Sequence, residues 1–574
     1  MANEAFMFTR IRIFNTRNSL HPFQRIGVAT RLRWLLLSAV VLASSLSSTK
    51  AARRERLIDS WQPTHYSVQI TFNDQLNEIA ARTELTIQCL KDDLSLIDLD
   101  FGALDVDAVT VDNHPSDFEH SNELLKVKLP RPVARGTRLI VAVAYHGKPA
   151  DGLILTKDKD GKPSAVGDNW PNRVHHWIPS LDHAAAKATV SFTVTVPARD
   201  LVVANGKLVQ MQCTNPTSRT WSFVEAAPIP PYCMIVAVGE FAQLEPKSYT
   251  VTPLSYVVPK SDKRFAMQGF APAIPSLKFF SQTIAPYPYE KLALIVGATR
   301  FGGMENSSAI VFSSTLFSPT HEAISNVFKI REGIVSVVAH EIAHQWFGDS
   351  VTESTWADLW LSEGFATYFA GLFIQKHEGE QAFRRYMKEA ADAYFMYEKQ
   401  QRKPIYDTET EDLMQLLNPN NYQKGAWVLH MLRSRLGDES FFRGLRAYYS
   451  AHKNSTASSE DLRRALEQAS GLDLKEFFEQ WIYGSGHPEY DLRWDWNNDK
   501  GIMKLHLKQV QPEPYFANWL PVDLITGKIK SRVIFKPSAK DTIIELSLKQ
   551  QPSSVAIDPE GTVLKEVLSQ QEGG

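Results

Sequence analysis

Cysteine is scarce in this chain: Cys89, Cys213 and Cys233 are the only three in 574 residues. The count is odd and no pair has the short spacing of a zinc ribbon, so neither a disulfide framework nor a cysteine-based metal module organises the fold. One Cys213 to Cys233 bridge stays open as an alternative. A surplus of positive charge is also missing. Lys and Arg number 62 against 64 Asp and Glu, for a formal net charge of -2, which leaves no field to gather nucleic acid. Internal repeats and long low-complexity linkers are lacking as well, which excludes solenoid and collagen-like architectures. The apolar run Trp34 to Leu46 has 13 residues, short of the roughly 20 that span a bilayer comfortably.

That run follows six arginines, Arg10, Arg12, Arg17, Arg25, Arg31 and Arg33, and ends among Ser44, Ser45, Ser47 and Ser48. A basic leader, an apolar stretch and small residues for cleavage are the order of a secretory signal. The expectation for residues 1–56 is therefore a leader with a signal or anchor segment and an exported protein. Membrane contact is expected only if that segment is uncleaved.

Hydrophobic residues make up 44% and charged residues 22%, enough to bury several cores, and the length exceeds what one core organises. From Trp61 to Phe241 the apolar residues alternate, as in Tyr66 to Phe72, Leu139 to Tyr145 and Val190 to Val196, with turn signals at Asp160-Gly161 and Asn205-Gly206. Between about 270 and 484, after one short strand at Leu292 to Val296, the period changes to 3.6 over 331–347, 357–376 and 380–398. Alternation returns in Tyr490 to Trp496, Met503 to Leu507 and Ile543 to Leu548. The fold expected is α+β and multidomain: an N-terminal antiparallel β-sandwich over 57–250, a mainly helical catalytic domain over 251–484 and a small C-terminal β-sandwich over 485–574.

The chemistry lies in Val337-Val-Ala-His-Glu-Ile-Ala-His-Gln-Trp-Phe-Gly348. On a helix, residues four apart share a side, so His340 and His344 direct their imidazoles to one point, and Gly348 is a plausible stop. A catalytic zinc needs a third protein ligand and one open position. Glu363, 19 residues after His344 in Trp356 to Tyr368, can supply it from a second helix packed antiparallel on the first. Glu341 points about 100° away from its ligand neighbour, toward the open side of one Zn²⁺ per chain. There it can act as general base for the attacking water.

Four ordered motifs, Gly302-Gly303-Met304-Glu305-Asn306, His340-Glu-Ile-Ala-His344, Glu363 and Tyr422-Gln-Lys-Gly425, resemble the aminopeptidase N family of zinc metallopeptidases in the thermolysin-like clan. The likeness is dense over 302–425 and thinner over 57–565. It implies a zinc aminopeptidase acting on peptides with a free N-terminus. It further implies that Glu305 binds the α-amino group, that Gly302, Gly303 and Met304 line the peptide, and that Tyr422 donates to the oxyanion. The chain departs from the family twice. Where relatives carry a second amine-binding Glu or Gln before a proline, this sequence has Trp170 before Pro171, with Asp168 and Asn169 as possible substitutes. A long helical fourth domain finds no room, so the expected site is more open or closed by another subunit, and a leukotriene hydrolase role is disfavoured. A zinc endopeptidase with the same metal site is the first alternative, and a non-catalytic scaffold the second.

Overall fold

The computed structural model describes residues 13–14, 52–246, 252–317, 327–517, 519–537 and 539–571. The leader's apolar run Trp34 to Leu46 lies outside the described residues. Two compact units appear: one comprises Glu55–Asp407 and Asp412–Gly484, the other Ser485–Gly574 with Thr408–Glu411 and the residues up to Arg54.

In the larger unit, alternation builds an eight-stranded sheet. Its order is 207–215, 218–229, 188–197, 61–72, 79–89, 138–147, 105–111 and 114–115. Neighbours run antiparallel except 188–197 beside 61–72, where Val190 faces Tyr66 and Val194 faces Ile70. Along Trp61–Phe72 the residues Tyr66, Val68, Ile70 and Phe72 are buried while Gln69 and Thr71 are exposed, so one face seeks a partner. A three-stranded sheet (94–100, 124–133 and 118–121) and a four-stranded one (153–157, 163–167, 236–239 and 201–204) provide it. Ile97, Leu99, Val127, Val236 and Val238 join Tyr66, Val68 and Val194 in one core.

The catalytic part opens with more sheet than periodicity suggests. Five strands run in the order 241–244, 254–259, 292–297, 309–313 and 303–304. Phe241–Leu244, assigned by alternation to the first domain, pairs with Leu254–Pro259 in this sheet, and the sandwich and catalytic parts share one compact unit. Two of the additional strands, Leu254–Pro259 and Ala309–Ser313, are short, nearly continuous apolar runs buried almost throughout, which carry no period to read. Helices follow: α1 (Val327–His344), α2 (Trp360–Glu378), α3 (Glu380–Glu398) and α4 (Gly425–Leu436). Every residue of α2 from Trp360 to Ile374 is buried, so α2 is the central rod on which the others pack. Among the described residues, no helix is long and apolar enough to cross a membrane.

In the smaller unit the strands 541–547, 502–509, 489–497 and 566–571 form one sheet, with Ile13–Phe14 at its edge, and 529–535, 520–526 and 554–557 form another. Tyr490, Leu492, Trp494, Leu505, Val522, Leu524 and Ile544 fill the core. All three cysteines are free, so no Cys213–Cys233 bridge forms.

The two turn glycines read from sequence differ in what surrounds them. Gly206 has φ +76° and a Cβ there would sit 2.1 Å from the Val224 carbonyl oxygen, whereas Gly161, at φ +75°, meets nothing within 4 Å. Gly161→Ala should cost about 1 kcal/mol, the price of left-handed backbone alone. Gly206→Ala should cost more than about 3 kcal/mol, because strand backbone must also move. Urea unfolding of the two variants checks the difference.

Candidate active site

Helix α1 ends at His344, four residues before the expected stop at Gly348. Gly348 matters for a different reason. With φ +117°, a Cβ on it would lie 2.4 Å from Ser362 Oγ and 2.9 Å from His344 Nδ1, so only glycine leaves the imidazole its place. His344 Nδ1 lies 3.1 Å from the Phe347 carbonyl and 3.1 Å from Ser362 Oγ. A ring that donates through Nδ1 keeps the Nε2 lone pair free for a ligand role.

The Nε2 atoms of His340 and His344 stand 3.0 Å apart. Glu363 Oε2 is 3.3 Å from the first and 3.4 Å from the second. An ion held at zinc bond lengths by three tetrahedral donors sets those donors about 3.3 Å apart, so this triangle already has the size of a zinc ligand set. Glu363 Oε2 is buried and makes no well-formed hydrogen bond; its nearest partners are the two imidazoles, so it is held by charge.

Charge agrees with distance. Ligand atoms of Glu305, Glu341 and His344 also lie within 4.8 Å of one another, so three carboxylates crowd two imidazoles. Burial alone would strip His344 of its proton, yet Glu363, Glu305 and Glu341 hold its pKa up at about 10. Burial alone would also raise Glu363, but His344 and His340 hold it down at about 2. Burial lifts Glu305 to about 7 against the pull of His344. The same burial pushes Glu341 well above its ordinary value, again with His344 opposing. The cluster is short of positive charge, and a divalent cation between the two imidazoles and Glu363 supplies it. The second triple contains only one imidazole, which makes it the poorer zinc set.

Glu341 points into a cavity of about 600 Å³ that the three ligands also line. Its carboxylate lies against Gly303, where a Cβ would come within 2.3 Å of Oε1, while a Cβ on Gly302 meets nothing within 4 Å. The two glycines therefore serve differently: Gly303 makes room for Glu341, and Gly302 faces open space. Gly303–Met304 is the edge strand, pairing Gly303 with Phe312 and Met304 with Val311, and it carries Glu305 to the cavity wall.

Tyr422 sits in a π-helical turn, Asn420–Lys424, just before α4. Its ring lies parallel to that of His340, centroids 5.9 Å apart. Burial, followed by the neighbouring carboxylates Glu363, Glu305 and Glu341, pushes the phenol pKa well up, so it stays a proton donor. Gly364 and Gly425 hold it there. A Cβ on Gly364 would stand 2.9 Å from the Gly425 Cα, and one on Gly425 3.0 Å from the Gly364 Cα. Backbones that close tie the Glu363 helix to the Tyr422 turn.

The structure therefore brings all nine expected site residues to one cavity. Asp168 and Asn169 do not reach it. Asp168 accepts from Arg173 and from the Arg300 backbone N–H. Asn169 binds the Met234 carbonyl and the Trp177 indole N–H. Neither replaces the second amine ligand; Trp170 lines the cavity instead, edge-on to Phe301 and Trp356.

Gln345, unnoticed in the sequence, is fully buried. Its Nε2 donates to the Glu305 carbonyl at 2.8 Å and to Asp349 Oδ2 at 2.7 Å. Its Oε1 accepts from the Ser308 N–H and the Tyr287 hydroxyl, each at 2.9 Å. The side chain thus joins the zinc helix to the strand that presents Glu305. The signal was present as a polar residue one place past a ligand, on the helix side that faces the sheet.

Comparison with known proteins gives the family. The model of the peptidase M1 N-terminal domain matches residues 62–233, and that of the peptidase family M1 domain matches residues 270–481. This chain belongs to peptidase family M1, with the multidomain architecture of the aminopeptidase N-like members. It is 32% identical over 318 residues to probable aminopeptidase 2 of Sulfurisphaera tokodaii, covering 54% of this chain and 40% of that protein. Aminopeptidase M1 of Arabidopsis thaliana is 30% identical over 401 residues, 67% of this chain and 44% of that one. Glutamyl aminopeptidase of Homo sapiens is 27% identical over 405 residues, 68% and 41%. The chain thus spans about two fifths of the length of these relatives. An M1 zinc metallopeptidase from Deinococcus radiodurans shares the fold at TM-score 0.63 and 24% identity, over 75% of this chain and 95% of that one.

Replacing Gln345 with methionine keeps the volume, takes its side-chain partner from the Glu305 carbonyl, Asp349 Oδ2 and the Ser308 N–H, and leaves the half-buried Tyr287 hydroxyl with the Lys291 carbonyl alone. It should cost about 3 kcal/mol, against within about 0.5 kcal/mol for Gln423→Met on the half-buried cavity wall. Chemical denaturation of the two variants provides the comparison.

Proposed function

We propose that this protein is a zinc aminopeptidase that removes the first residue from peptides with a free N-terminus. The reading is carried by one observation: a buried triangle of two imidazoles and a carboxylate, 3.0 to 3.4 Å on its sides, with the Glu305 carboxylate on the wall of the same cavity. His340, His344 and Glu363 would hold one zinc ion, which when bound polarises a carbonyl and makes water acidic near neutral pH.

The side chains divide the remaining work. Glu305 pairs with the α-ammonium and so fixes which peptide bond reaches the ligands. In the substrate, the terminal nitrogen and the first carbonyl carbon are about 2.5 Å apart, and Glu305 and Glu341 present carboxylate oxygens within 4.8 Å of one another. One carboxylate can therefore hold the amine while the other serves the neighbouring carbon. Glu341 takes the proton of the attacking water and returns it to the departing amine. Tyr422, kept protonated, donates to the carbonyl oxygen as charge grows there, an interaction stronger in the transition state than in the ground state.

Mass spectrometry of a peptide supplied with free and with acetylated N-terminus tests the whole reading. The free form should lose its first residue and the acetylated form should not; equal internal cleavage of both would overturn the reading in favour of an endopeptidase. A chelator should stop the reaction and zinc restore it. Glu341→Gln should lose about 10³-fold in kcat while still binding one zinc per chain. Tyr422→Phe should lose about 10²-fold or more in kcat with KM little altered.

A further inference from the structure

The cavity has two ends, and α1 orders them. Gln345 holds the Glu305 carbonyl and Gly303 lies against Glu341, so the amine anchor sits beside the C-terminal half of α1. Ser336 and Val337 line the same cavity from before His340. Ser336 and Gln345 are nine residues apart along the chain, roughly 13 Å at the rise of a helix, with the two histidines between them. Thr367, one turn past Glu363 on α2, lies at the Ser336 end as well. Tyr386 of α3 marks that end: its hydroxyl donates to the Thr367 carbonyl at 2.9 Å and is also bonded to the Ser336 side chain. On the aminopeptidase reading, a peptide anchored at Glu305 and crossing the ligands must place its second residue there.

Among the described residues, one charge at that end has no ion-pair partner. Tyr386, Glu389 and Ala390 line the cavity from successive turns of one face of α3. Glu389 is exposed and forms no ion pair among the described residues. Its cationic neighbours on the helix are engaged: Lys388 with Asp392 at 2.5 Å and Arg384 with Glu380 at 3.1 Å, and Arg385, one turn earlier, has an interaction of its own. None of the described cavity-lining residues is Lys or Arg. We propose that Glu389 reads the residue after the scissile bond, so that peptides with Lys or Arg in second position are the preferred substrates and those with Asp or Glu there the poorest. The claim rests on the aminopeptidase reading and adds the substrate class to it.

Three peptides that share their first residue and differ only in the second, Lys, Gln or Glu, are mixed with the zinc-loaded enzyme, and competition gives ratios of kcat/KM. An exposed carboxylate facing an ammonium should favour Lys over Gln by about two- to fivefold at low salt. Glu should fall behind by a similar factor, and 0.5 M salt should compress the spread. Glu389→Gln should bring the three within about twofold and Glu389→Lys should reverse the order, both variants retaining zinc and their unfolding temperature. An order that persists in both variants, or three equal rates in the wild type, overturns the role of Glu389 and leaves the aminopeptidase reading standing. If the zinc-loaded wild type cleaves none of the three, the aminopeptidase reading falls and this inference falls with it.

Discussion

Buried carboxylates that face one another repel, and most of this molecule's central architecture is arranged around that fact. Glu305, Glu341 and Glu363 surround His344, and in the low dielectric of a closed site their mutual repulsion costs far more than it would in water. The imidazole is drawn into carrying a proton that burial alone would remove. Such a cluster persists only if the surrounding structure forces it together, and it is relieved by a cation of higher charge than one imidazolium. Metal affinity and folding cost are therefore two sides of one arrangement.

The forcing is done by backbone, at places where a side chain cannot fit. Gly348 clears His344, Gly303 clears Glu341, and Gly364 meets Gly425 so that the Glu363 helix and the Tyr422 turn cannot separate. Gln345 adds a fully bonded amide between the helix and the Glu305 strand. Lys424 works from the other side of the turn: its ammonium lies over the rings of Tyr394 and Trp481, anchoring the turn in the core while Tyr422 turns to the cavity. Each device fixes one functional group relative to another by contact over a few ångströms, which is the tolerance that preorganised chemistry demands.

Much of this was legible in the chain and some was not, for physical reasons. Local spacing fixes helix geometry, so His340, Glu341 and His344 could be read directly. Glu363 could be inferred because zinc demands a third donor and the intervening residues allow an antiparallel return. Alternation exposed the long strands of the sandwich, whose two faces meet different surroundings. It could not expose Leu254–Pro259 or Ala309–Ser313, which are buried almost throughout and so show no contrast. The Gly364–Gly425 contact and all but one of the Gln345 bonds were equally hidden, since those partners lie 37 to 61 residues away in sequence. Glu305 and Tyr422 entered only through likeness to a family; residue type and spacing alone do not distinguish an anchoring acid or an oxyanion donor from any other.

The tryptophan at position 170 changes how a terminal amine would be held. A second acid there would share one ammonium between two carboxylates, whereas here Asp168 is spent on Arg173 and the wall is indole. A second acid would add a fourth negative charge to a cluster already crowded with three, and would be paid for in repulsion whenever no amine is bound. An indole on that wall adds no such charge, and Glu305 is buried. A single ion pair in such surroundings is stronger than the same pair in solvent. On this argument the proposed amine site gives up multiplicity of contacts for desolvation, and its grip depends on Trp170 staying packed edge-on against Phe301 and Trp356.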